Sequence, residues 1–164
     1  MIHTASKNAT VILSVYSFVE VIEDCITKQK SLHAVMPFKK GALISKFSAG
    51  DFYDAPNYLT VQTGTHQHIT LDPAFLQYSN HSCSPNIFFD TAAMEIIALR
   101  DIEPSEELCF FYPSAEWDMA QPFICYCGSR NCLQNIRGAK YVAINIIHSY
   151  RLTYFIEEQL KKAL

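Results

Sequence analysis

The chain has 164 residues, 49% hydrophobic and 18% charged. That composition supplies one apolar core and excludes intrinsic disorder. The formal net charge of -3 provides no overall positive field to draw the chain to nucleic acid or to an anionic membrane, and no direct binding to either is expected. No apolar stretch approaches the roughly 18 residues of a membrane span, and residues 1–10 lack the basic-then-apolar order of a secretory leader. An intracellular, reducing location is expected, with nucleus and cytoplasm both open.

In chain order, residues 10–18 are rich in β-branched and aromatic side chains and read as a strand. Shorter strands are expected at 43–47, 58–63 and 68–71, separated by Gly, Pro, Asp and Asn. Residues 86–90 and 94–99 read as a hairpin, and 107–112 as a last apolar strand. Short strands at close spacing imply a mostly β fold. Residues 139–164 contain neither Gly nor Pro, and Ala143, Ile147, Tyr150 and Tyr154 recur at helical spacing. With Lys161 and Lys162 suited to a helix C-terminus, this segment is expected to be a helix packed on the core.

Of six cysteines, three form the tight pattern C-x-C-x4-C: Cys125, Cys127 and Cys132. In a reducing compartment this spacing points to metal rather than disulfides. Gly128 permits the backbone reversal that brings Cys132 back toward the pair. A structural zinc site wants four ligands, so one must come from elsewhere. Cys83 is the best candidate. It lies in the polar, turn-forming run 80–86, N-H-S-C-S-P-N, whose residue types suit side-chain chemistry rather than a strand or helix interior. Cys25 and Cys109 read as non-ligands. His66, His68 and His148 stand in no recognisable ligand spacing.

The run 80–86 matches the NHSCxPN motif of SET-domain protein lysine methyltransferases, and the chain resembles that family. Residues 98–112, A-L-R-D-I-E-P-S-E-E-L-C-F-F-Y, are similar to a second family motif, Cys125 to Cys132 to its post-SET zinc motif, and residues 38–44, F-K-K-G-A-L-I, to a segment near the domain start. Four motifs in the family's order are far more specific than any one alone. The resemblance implies a SET fold of small curved sheets with a pseudoknot over residues 1–120, of which 1–28 form an N-terminal flank. It implies a short zinc-binding post-SET segment over 121–138, and the helix at 139–164 follows. It implies that Cys83, Cys125, Cys127 and Cys132 hold Zn2+.

The activity implied is methyl transfer from S-adenosylmethionine to a lysine side chain of a protein or peptide substrate. By the same resemblance Tyr112 is the catalytic tyrosine. Asn80 and His81 contact the cofactor with Lys30, Ser31, Leu32, His33 and Tyr112. Phe110 falls where an aromatic residue limits how many methyl groups fit, and phenylalanine there implies di- or trimethylation. The chain departs from the pattern where a G-x-G turn is usual, with Gln29 and Ser31 in place of both glycines. Ser105 replaces a turn glycine, and Phe111 replaces a common aspartate, which is expected to make the site less polar. The lost glycines support an alternative, a SET-like module without catalysis that binds proteins. A purely structural or nucleic-acid-binding zinc module is a third reading, disfavoured because no basic stripe with interleaved aromatics is present.

Overall fold

The computed structural model describes residues 9–163. Residues 1–8, which carry most of the segment read above for a leader, lie outside it. The chain opens as three antiparallel strands, β1 (Thr10–Val15), β2 (Val19–Asp24) and β3 (Lys30–Ala34), paired in that order. The single strand expected over 10–18 is cut by a tight turn, in which the Tyr16 N–H donates to Val19 O at 2.7 Å. Alternation decides what this sheet buries. Val19 and Val21 of β2 and Leu32 and Ala34 of β3 face the core, while Val11, Ile12 and Leu13 of the edge strand stay exposed.

β4 (Leu43–Lys46) and β5 (Ser48–Tyr53) follow, then β6 (Val61–Gly64) and β7 (Gln67–Asp72). β5, β7 and β6 form a second antiparallel sheet in that order. Sequence propensity misses β5, because its Ala, Gly and Asp are poor strand formers. Pairing supplies what propensity lacks. At Gly50 a β-carbon would sit 2.8 Å from Thr70 Oγ1 on β7, so only glycine fits this close approach.

β8 (Asn80–His81) precedes the expected hairpin, β9 (Ile87–Asp90) and β10 (Glu95–Ala98), which together with β4 makes a third sheet in the order β4-β10-β9. Ile87, Phe88 and Phe89 are all buried, and the continuous apolar run reflects a strand covered on both faces. The last apolar strand shrinks to β11 (Cys109–Phe110), which pairs in parallel with β8. β12 (Phe123–Ile124) and β13 (Asn135–Ile136) form a small antiparallel pair.

The helical C-terminal segment is realised in pieces. A single 3-10 turn covers Ala139–Tyr141, a one-turn helix α1 spans Ile144–Ile147, and α2 runs over Tyr154–Ala163. Between α1 and α2 the Thr153 N–H donates to Ser114 O at 3.0 Å, so a tertiary bond interrupts the helix. The buried stripe also differs from the one read off the sequence. Ile147, Leu152, Ile156 and Leu160 are buried, whereas Ala143 and Tyr154 are exposed. This tail packs against Phe111 in a second, smaller core. The main core lies between the three-stranded sheets and includes Leu32, Ile69, Phe89, Ile96 and Leu108.

Candidate active site and thiol cluster

The site is built where β8 and β11 run side by side. Asn80 pairs with Cys109 and His81 with Phe110, and the Ser82 N–H extends the contact to Phe110 O at 3.0 Å. Asn86, 2% exposed, fastens the crossing. Its Nδ2 donates to Glu107 O at 2.7 Å, and its Oδ1 accepts from the Cys109 N–H at 2.8 Å. A buried amide that meets donor and acceptor on one strand locks that strand's position. Asn80 does similar work on the other side, donating to Lys30 O at 3.0 Å and to Glu107 Oε1 at 2.9 Å.

His81 stands between the aromatic and thiol ends of the site. Its Nδ1 accepts the Tyr112 N–H at 3.1 Å, so the ring proton sits on Nε2, 3.3 Å from Cys83 Sγ. Burial pushes the imidazole pKa down to about 4, and the ring stays neutral. Tyr112 donates its hydroxyl to Ser79 O at 3.3 Å. Both lone pairs of that oxygen therefore remain as acceptors. Burial first, then nearby Cys109, Glu107 and Glu116, push this phenol well above its ordinary value. The Phe110 ring lies 4.7 Å from the Tyr112 ring and 4.6 Å from Phe89.

Asn80, His81, Phe110 and Tyr112 all line one cavity of about 690 Å³, within the range of small-molecule sites. Lys30, Ser31, Leu32 and His33 do not line it, although Gln29 does. Leu32 is fully buried in the core. The His33 ring spans the opening segment and the second motif: Nδ1 donates to Ser105 O at 3.0 Å, and Ser31 Oγ lies 2.9 Å from Nε2. The hydroxyl that replaces a glycine is thus engaged by His33. Ser105 itself has φ of 68°, the left-handed region that glycine occupies without strain. Phe111 does not enter the cavity. It turns into the C-terminal core, so its replacement of an aspartate leaves the polarity of the cavity unchanged.

The Sγ atoms of Cys83, Cys125, Cys127 and Cys132 all lie within 4.8 Å of one another. Tetrahedral zinc at about 2.3 Å from each sulfur would set them roughly 3.8 Å apart, so the cluster fits one ion with small closure. Gly128, at φ of 72°, makes the predicted reversal. Cys83 is fully buried, and its sulfur receives the His81 Nε2–H and, at 3.4 Å, the Leu133 N–H. Two N–H groups aimed at one sulfur suit a metal-bound thiolate. Burial pushes the Cys83 thiol far up, so a cation is what would make it a ligand. Cys109 and Cys25 stay outside the cluster, as read from the sequence.

One residue of the cavity wall escaped sequence reasoning. Glu116 is 6% exposed, and its Oε1 has no hydrogen-bond partner among the described residues. The available signal was a carboxylate one turn beyond Tyr112 in an otherwise apolar stretch.

Strand pairings, cavity and thiol cluster together define a methyltransferase of the SET class. A family model described as SET domain matches residues 4–113, and the chain belongs to that family. It is 38% identical over 143 residues to methyltransferase flvH of Aspergillus flavus, covering 86% of this chain and 80% of that protein. It is 41% identical over 68 residues to an H3 lysine-36 specific histone-lysine N-methyltransferase of Aspergillus oryzae, but spans only 7% of that protein's length. Among solved structures it resembles KRYPTONITE in complex with mCHG DNA and SAH, with a TM-score of 0.56 and 21% identity over 74% of this chain and 30% of that one. The methyltransferase domain of human SETMAR gives a TM-score of 0.51 at 18% identity, covering 68% of this chain and 55% of that one. These two likenesses confirm the mostly β SET fold. No helix among the described residues is long and apolar enough to cross a membrane.

Proposed function

We propose that the chain transfers methyl groups from S-adenosylmethionine to the side-chain amine of lysine in a protein or peptide substrate, adding two or three. The observation that carries this reading is the shared cavity wall of Asn80, His81, Phe110 and Tyr112, drawn together by the β8–β11 pairing. S-adenosylmethionine supplies an electrophilic methyl group on a sulfonium. Asn80 and His81 bind it, with the backbone of Lys30, Ser31, Leu32 and His33 behind them. Tyr112 holds the acceptor amine on line through its free lone pairs, which also attract the polarised methyl hydrogens. Phe110 shapes the acceptor end, and a phenyl ring without a hydroxyl leaves room for an already methylated nitrogen. The aromatic rings of Phe110 and Tyr112 at the acceptor end disfavour the cation and favour the neutral, attacking amine.

Cys83, Cys125, Cys127 and Cys132 hold zinc, which fixes the post-SET segment (121–138) beside the cofactor end of the SET domain (1–120). Residues 139–163 cover that junction. The partial match to H3 lysine-36 enzymes makes a histone tail the first substrate to try. The second reading, a protein-binding module without catalysis, draws on Gln29. It lines the cavity wall where the family pattern has glycine.

Calorimetric titration of the purified chain with S-adenosylmethionine and S-adenosylhomocysteine, with zinc measured on the same sample, tests the reading. Micromolar binding and one zinc per chain support it. One zinc without cofactor binding transfers support to the binding module. Only monomethyl product under excess enzyme would exclude the di- or trimethylation.

A further inference from the structure

Glu116 is held in place from both sides. Its N–H donates to Tyr112 O at 3.0 Å, and its carbonyl accepts the Ala139 N–H at 2.8 Å. The next residue is tied to the second sheet, with the Trp117 N–H donating to Gln62 Oε1 at 2.9 Å. The carboxyl is therefore fixed on the cavity wall it shares with Val61, Leu76, Phe110 and Tyr112. No Lys, Arg or His among the described residues makes an ion pair with it. The carboxyl takes a backbone hydrogen bond from Gln62, but its Oε1 is left without a donor, which is costly for a buried oxygen. The missing partner is a group carrying N–H bonds, and the cavity is where it can enter.

We propose that Glu116 receives the ammonium of the acceptor substrate and takes its proton. The inference rests on the amine-methylating reading above and assigns the acceptor's chemistry: a primary ammonium, whether from a peptide lysine or a free amine. In the step, one N–H bond breaks, the proton forms an O–H bond at Glu116, and the nitrogen lone pair is freed for attack. The proton returns to water when the methylated product leaves. Tyr112 beside it orients the nitrogen. The other ionisable groups on this wall are Tyr58, His81 and Glu107, with Cys125, Tyr126 and Cys127 at the thiol end. Burial lifts the Glu116 carboxyl to about 8, so the ionised carboxylate that accepts the proton grows as pH rises to that value and prevails above it.

Glu116→Gln keeps the shape and removes the proton acceptor. With a histone H3 peptide and with free L-lysine as acceptors, kcat/KM is expected to fall about 100-fold, while the affinity for S-adenosylmethionine changes less than twofold. The variant's rate should climb with pH toward the amine's own pKa, where the wild type levels off earlier, and Glu116→Asp should restore part of the activity. Turnover of only one acceptor tells peptide lysine from free amine. Unchanged kcat/KM and pH profile in Glu116→Gln overturn the proposal. If the wild type turns over neither acceptor, thermal stabilisation by n-butylammonium chloride decides. Stabilisation lost in Glu116→Gln supports the ammonium site, and equal or absent stabilisation overturns it. Cofactor calorimetry on the wild type separately reports whether the methyltransferase reading stands.

Discussion

Phe111 lies flat against Tyr150, with ring centroids 3.7 Å apart and planes 10° from parallel. The Tyr150 hydroxyl continues from that stack to Cys83 O at 2.8 Å. The residue next to Tyr112 therefore anchors the C-terminal tail, and the tail in turn braces the thiol cluster. Phe111→Ala removes a fully buried ring from this junction and should cost about 3–5 kcal/mol, read as a lower urea midpoint. Phe111→Asp should be worse, because it buries a carboxylate with no partner.

Tyr150→Phe keeps the stack and removes one donor. The Asn131 amide still reaches Cys83 O at 3.2 Å, so the carbonyl is not orphaned. Stability should fall by about 1 kcal/mol, and zinc should be lost to a competing chelator at roughly tenfold lower chelator concentration. Chelator competition followed by metal analysis checks both the link and its size.

At Gly138 the chain lies close against the backbone of Trp117 and Asp118. The φ of Gly138 is 120°, and a β-carbon there would stand 2.5 Å from Trp117 O. Gly138→Ala should cost at least about 1–3 kcal/mol from backbone strain alone, with the clash added. Equal denaturation curves for variant and wild type would show that this close approach relaxes freely.

Glu116 sets a pH dependence of stability. Burial raises its carboxyl from the usual 4.5 to about 8 in the folded chain. Between those values the folded chain keeps a proton that the unfolded chain has released. The contribution is fully present below 4.5 and is lost as pH rises through 8, at up to about 1.4 kcal/mol per pH unit. The stability of Glu116→Gln relative to wild type should therefore grow across that window and level off above it. Urea unfolding at several pH values measures the difference, and parallel profiles would refute it.

The sequence made the chemistry-bearing segments legible because their residues are specific to it. Residues 80–86 and the C-x-C-x4-C cluster could be read as thiols and turns, and the four sulfurs meet. The hairpin at 86–99 was legible from its apolar runs. β5 was hidden because its residues form a strand only in the company of β7. The break before α2 was hidden because it depends on a bond from Thr153 to Ser114, distant in sequence. The path of Phe111 and the unpartnered Oε1 of Glu116 are properties of what surrounds them, which periodicity does not encode.

The parallel pairing of β8 with β11, and the contact of the His33 ring with a carbonyl 72 residues away, have a kinetic consequence. Neither can close until long stretches between them have lost their freedom, and such closures come late and slowly. The cavity wall is therefore assembled only once these distant segments have met. A nascent chain that has not yet brought Cys109 beside Asn80 holds the residues of the site but none of its geometry, and activity should appear in one step with the completed fold.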